Sequence, residues 1–130
     1  MCGIAGYLSL KKMHEKIFYK IIINMLKAIR HRGPDERHYV FSNKYAFGTN
    51  RLSIQSLKDG QQPIENDKYI VGFNGEIFNY FELLNSQNFS DVNSEVQLIL
   101  KLFDKYKLNF VNKVKGQFAI YIYDKITYNS

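Results

Sequence analysis

The chain has 130 residues, a formal charge of +6, and a composition that is 45% hydrophobic and 15% aromatic, with no Trp. That is enough apolar material for one domain with a sizeable core, and it excludes a disordered chain. The one cysteine cannot form an internal disulfide, which fits a reducing compartment, most simply the cytosol.

The start MCGIAGYLSLKK has no basic segment ahead of its short, glycine-broken apolar stretch, so it does not read as a signal peptide. No apolar run approaches the length of a membrane span. The lysines are scattered from Lys11 to Lys125 without a block of like charge. The positive balance therefore reads as a solvated surface, not as a nucleic-acid or membrane interface.

Cys2 to Ser9 alternates small and apolar residues and predicts a strand. Gly3 and Gly6 in it suggest close approach by another backbone or a ligand. From about Met13 to Arg30, Ile17, Ile21, Met25 and Ala28 or Ile29 recur at helical spacing and predict one amphipathic helix. Gly33 and Pro34 stop it. Tyr39–Phe41 and Tyr45–Phe47 predict a hairpin turned at residues 42–44, its second strand running on toward Ile54. Residues 57–65 (LKDGQQPIE) read as a surface loop. Tyr69–Phe73 predicts a strand ending at Asn74-Gly75, and Ile77–Leu84 a short helix. Ser94–Tyr106 predicts a long helix with Leu98, Leu102 and Tyr106 on one face. Ser94 and Gln97 fit a capping box at its start. Gly116–Asp124 predicts a core strand with Phe118, Ile120 and Ile122 on one face. The irregular mixing of five strands with helices predicts an α+β fold of antiparallel sheet packed against helices.

The chemistry-bearing candidate is Cys2. It is small enough to permit removal of Met1, which would place a thiol and a free α-amine on one residue. The thiolate is the nucleophilic form of cysteine. An α-amine with an ordinary pKa of about 7.7–8.0 suits proton transfer near neutral pH. N-terminal threonine nucleophiles pair hydroxyl and amine in the same way. By itself, a lone cysteine reads more readily as a small buried apolar residue, the commoner fate of cysteine. Asn74-Gly75 alone reads as a hairpin turn, and Arg51 alone as a surface arginine.

Five stretches change that balance: Met1-Cys2-Gly3-Ile4-Ala5-Gly6, His31-Arg32-Gly33-Pro34-Asp35, Asn50-Arg51-Leu52-Ser53-Ile54, Phe73-Asn74-Gly75-Glu76-Ile77-Phe78-Asn79-Tyr80, and Gly116-Gln117-Phe118-Ala119-Ile120-Tyr121-Ile122-Tyr123-Asp124. In this order and spacing they resemble the glutaminase domain of class II glutamine amidotransferases, the group with an N-terminal nucleophile. Within that group the likeness is greatest to asparagine synthetase of the glutamine-hydrolysing kind, and it covers nearly the whole chain.

The resemblance implies hydrolysis of glutamine to glutamate and ammonia, with Cys2 as nucleophile. It assigns the oxyanion hole to the Asn74 side chain and the Gly75 N–H. Losing one such donor typically costs about 2.7–4 kcal/mol of barrier. It gives Arg51 the α-carboxylate of glutamine, for which a planar guanidinium fork is suited. It also puts Glu76 and the backbone near Ile54 and Gln55 in the pocket. The family's acid for the substrate ammonium falls on Glu95 in a gapless register, where Asp is usual. A frame shifted by two would put Asn93 there instead. Glu95 also reads as a helix-dipole partner in the first turn.

His31, Arg32 and Asp35 are expected to support the Cys2 strand, since the histidines show no metal-ligand spacing. The implied fold is the four-layer αββα sandwich of N-terminal nucleophile hydrolases. The family's segment beyond the last Tyr-Asp is not present after Asp124, which implies a partial domain over residues 1–130 without its synthetase domain. ATP and magnesium would bind only on that synthetase domain or subunit, which would also accept the ammonia. The competing expectation is a non-catalytic, truncated domain that binds a partner subunit.

Overall fold

The structure, a computed structural model, describes residues 2–52 and 60–129. The fold is α+β, with two small antiparallel sheets and four α-helices among the described residues. The first sheet holds β1 (Gly3–Leu8), β2 (Glu36–Phe41) and β3 (Tyr45–Arg51) in the order β1-β3-β2. The β2–β3 hairpin forms as expected, with Ser42 N–H donating to the Tyr45 carbonyl across its turn at 2.8 Å. The second sheet holds β4 (Ile64–Glu65), β5 (Tyr69–Ile77) and β6 (Gly116–Asp124) in chain order. β4 is a sixth strand, where the sequence read as a loop.

Helix α1 (Glu15–Ala28) is capped by His14, whose Nδ1 accepts the Lys16 N–H at 3.2 Å. It packs on the first sheet with Phe18, Ile22 and Leu26 fully buried, while Ile17 is 45% exposed. The buried stripe is thus one position later than the periodicity suggested. Residues 17, 18, 21, 22, 25 and 26 are all apolar, so two adjacent stripes fit the helical period equally. Packing decides between them. Gly48 in β3 leaves a notch that Leu26 and Ile22 fill: a β-carbon there would stand 2.7 Å from Leu26 Cδ1 and 3.2 Å from Ile22 Cγ1. Burying three such side chains contributes roughly 5–9 kcal/mol, as an upper figure.

The opposite face of β3 turns Tyr45 and Phe47 toward the second sheet, where they join Ile70 and Tyr123 in one apolar cluster. The Phe47 and Tyr121 rings stack with centroids 4.9 Å apart. Helix α3 (Glu95–Tyr106) covers the second sheet with Val96, Leu98, Ile99 and Leu102, against Tyr69, Val71, Phe73 and Ile77. Its Ser94 cap accepts the Gln97 N–H at 3.4 Å, and Gln97 Oε1 reaches back to the Asn93 N–H at 2.8 Å. The reciprocal cap therefore forms, one residue further out than the usual capping box.

Strand β5 runs on through Asn74-Gly75 to Ile77, because these residues pair with Gly116–Ala119 of β6. The turn that Asn-Gly favours does not occur, and helix α2 (Tyr80–Gln87) starts three residues later than expected. A short helix, α4 (Lys125–Asn129), follows β6. No described helix is long and apolar enough to cross a membrane.

Candidate active site

The two sheets bring the ends of three strands around one cleft of about 600 Å³. Cys2 precedes β1, whose register (Gly3 opposite Asn50) sets it beside Arg51 at the end of β3. Cys2 is partly buried and is a free thiol. Its carbonyl accepts the Arg32 Nε–H at 3.3 Å, which ties the 3-10 turn Arg30–Arg32 to the start of β1. The Asp35 N–H donates to the Arg51 carbonyl at 3.2 Å. Arg32 and Asp35 thus brace the Cys2 and Arg51 strand ends, the supporting role expected of that segment. Asn50 ties the same end of β3 to α1, its Nδ2 donating to the Leu26 carbonyl at 2.6 Å.

Cys2, Arg51, Asn74, Gly75, Glu76 and Glu95 all line the cleft. Ile54 and Gln55, also expected in the pocket, lie outside the described residues. The Arg51 guanidinium meets Glu36 Oε2 from Nη1 at 3.4 Å and lies against Gly60, where a β-carbon would stand 2.9 Å from Cζ. Asn74 Oδ1 is buried with no hydrogen-bond partner among the described residues. Among those residues, no group of three or more His, Cys, Asp or Glu is placed to hold a metal ion.

The cleft-side edge of β5 has a regular pattern. Tyr69 N–H donates to Asn66 Oδ1 at 2.7 Å, on the β4 side. Phe73 N–H donates to Gln62 Oε1 at 2.6 Å, and Ile77 N–H to Glu95 Oε1 at 2.6 Å. Phe78 N–H, of opposite parity, faces β6 and donates to the Lys115 carbonyl at 2.8 Å. Alternation along an antiparallel strand therefore directs the Gly75 N–H to the cleft side, between the groups held by Gln62 and Glu95. Gly75 itself has φ +153°, a conformation that favours glycine.

Glu95 is half-buried, and burial raises its carboxyl pKa. The Ile77 N–H opposes that shift, and the nearby charge of Glu76 adds to it. Burial likewise raises the Tyr80 phenol, with Glu95 contributing. Asn93 lines the cleft as well, so both residues considered for the acidic position reach it.

The glutamine amidotransferase domain family matches residues 1–129. The chain belongs to that family. Asparagine synthetase [glutamine-hydrolyzing] 2 of Bacillus subtilis is 37% identical over 130 residues, covering 96% of this chain and 17% of the relative. A putative asparagine synthetase [glutamine-hydrolyzing] 2 of Methanocaldococcus jannaschii is 34% identical over 148 residues, covering 96% and 28%. Asparagine synthetase B of Escherichia coli is 29% identical over 131 residues, covering 95% and 23%. The chain thus spans less than a third of the length of these relatives.

Among the cleft residues of this glutamine amidotransferase domain that sequence reasoning missed is Gln62. Gln62 falls in the stretch that reads as a surface loop, yet it is only 8% exposed and its amide holds β5. The turn-forming neighbours Gly60 and Pro63 hid it, and no periodicity marks a side chain that replaces a strand.

Proposed function

We propose that this domain hydrolyses glutamine to glutamate and ammonia through Cys2, once Met1 has been removed. The carrying observation is that Cys2, Arg51, Asn74, Gly75 and Glu95, far apart in sequence, meet at one cleft. In this reading the α-amine of Cys2 takes the thiol proton and the thiolate attacks the carboxamide carbon. The Gly75 N–H and the Asn74 amide stabilise the oxyanion. A half-turn of the Asn74 amide exchanges its acceptor end for its donor end. The C–N bond then breaks, the proton leaves with ammonia, and water hydrolyses the thioester. Arg51 binds the substrate carboxylate, with Glu36 orienting the guanidinium. Glu95 faces the substrate ammonium, Glu76 borders it, and the backbone near Ile54 and Gln55 completes the pocket.

The four-layer αββα arrangement accompanies this reading. The apolar clusters under α1, between the sheets and under α3 support it. The relatives are asparagine synthetases, so the ammonia is assigned to asparagine synthesis from aspartate on a synthetase domain or subunit. That partner would bind ATP and magnesium, and the domain itself would use no cofactor and work in the cytosol.

Intact mass of the purified chain reports whether Met1 is gone. An electrophilic glutamine analogue should then add once to Cys2, glutamine should block it, and Cys2→Ala should abolish both adduct and ammonia release. A processed chain that neither labels nor releases ammonia would overturn the proposal in favour of a non-catalytic, partner-binding domain.

A further inference from the structure

We propose that Gln62 is a positioning residue that fixes the oxyanion donor at Gly75, an inference that rests on the glutaminase reading. β4 ends at Ile64–Glu65, and its pairing with β5 reaches only Val71. Beyond that point the β4-side edge of β5 has no neighbouring strand among the described residues, yet it carries the Phe73, Gly75 and Ile77 N–H groups. A side chain fills each flanking position: the buried Gln62 amide oxygen takes the Phe73 N–H at 2.6 Å, and the Glu95 carboxylate takes the Ile77 N–H at 2.6 Å. The N–H left between them is that of Gly75, in the cleft with Cys2.

Gln62 thus acts as a one-residue substitute for a β4 strand. It stops the pairing where a full strand would have consumed the Gly75 N–H. It also pins the peptide two residues before Gly75, on the same edge. A preorganised donor stabilises charge because it need not reorient as the charge develops. Releasing the Phe73 N–H loosens that geometry without removing a group that touches glutamine. The role predicts an effect on kcat with little effect on KM.

The test uses the full chain with Met1 removed. Gln62→Met keeps the length of the side chain and loses the acceptor. Gln62→Glu keeps an acceptor. Residue-resolved amide exchange should show Phe73 losing protection in Gln62→Met and regaining it in Gln62→Glu, with the global fold intact by circular dichroism. Removing an oxyanion donor outright typically lowers kcat by about 10²–10³. A displaced donor should lower it by roughly tenfold or more in Gln62→Met, with KM within about twofold. Gln62→Glu should recover part of kcat, because its charge opposes the oxyanion.

Unchanged Phe73 protection in Gln62→Met would overturn the proposal, as would lost protection with unchanged kcat. A Gln62→Met chain that fails to fold leaves the decision to Gln62→Glu, in which an unprotected Phe73 also overturns it. A wild type that neither turns over glutamine nor labels at Cys2 overturns the glutaminase reading and this role with it. An active wild type with a normal Gln62→Met variant removes the Gln62 role alone.

Discussion

Gly75→Ala is the substitution for which the geometry gives the sharpest expectation. Ordinary contact for a β-carbon is 3.4–4 Å, but one built on Gly75 stands 2.6 Å from Phe118 Cα and overlaps the Gln117 carbonyl oxygen more closely still. Both are in β6, which pairs with β5 through this register, so neither can rotate aside like a side-chain tip. The φ of +153° adds backbone strain for any L side chain. Strain at such a position costs about 1–3 kcal/mol, and overpacking about 1–3 kcal/mol more. The total of roughly 2–6 kcal/mol is a large part of the 5–15 kcal/mol that typically holds a domain folded. Thermal unfolding followed by circular dichroism should show a Tm lower by on the order of 10 °C. Cys2 labelling should slow as the two strands part beside the cleft. A Gly75→Ala chain within about 2 °C of wild type, labelling at the same rate, would refute the close β5–β6 register beside the cleft.

The phase of α1 is testable by a pair of truncations: Leu26→Ala should lose about 2–5 kcal/mol in urea unfolding, whereas Ile17→Ala should lose no more than about 0.5 kcal/mol. The reverse ranking would restore the stripe that the sequence alone suggested. Glu95 supplies a pH signature. Burial holds its carboxyl above the ordinary value of 4.5, so the folded chain keeps that proton better than the unfolded one. Its contribution to stability is full below pH 4.5 and is lost as pH rises through the raised pKa. Glu95→Gln, which keeps an acceptor for the Ile77 N–H, should remove that loss and flatten the Tm–pH profile above pH 4.5. Superimposable profiles for the two proteins would contradict the placement of Glu95.

What was legible in the sequence follows the range of the interactions involved. The hairpin at Ser42–Tyr45, the Ser94 cap and the α3 stripe depend on residues a few positions apart, and all appear in the structure. The phase of α1 depends on Gly48, a residue on another element, and local periodicity could not see it. Asn74-Gly75 shows the same limit more sharply. Its local preference is a turn, but its pairing with Phe118 and Ala119 overrides that preference and keeps it in a strand. The candidate site residues were proposed from motif, and a motif names residues without saying what holds them. Gln62 carries no motif in this reading and no period, so only the folded chain reveals it.

The same strand edge gives Glu95 a physical role. Glutamate is one methylene longer than aspartate, and here that reach brings Oε1 to the Ile77 N–H at 2.6 Å. The carboxylate is therefore anchored on the edge that also presents Gly75, rather than hanging free from the first turn of α3. Anchoring comes with burial, and burial raises the pKa. On the glutaminase reading, an incoming substrate ammonium would oppose that shift by favouring the charged form. Glutamine binding and loss of the Glu95 proton would then be coupled, and the affinity for glutamine should rise with pH through the carboxyl's titration. An aspartate that does not reach Ile77 would lose a contact that lowers the carboxyl pKa, so Glu95→Asp should shift this pH dependence while leaving an acid at the cleft. Measuring KM against pH in both proteins decides it, because identical profiles would mean that the Ile77 contact has no part in substrate binding.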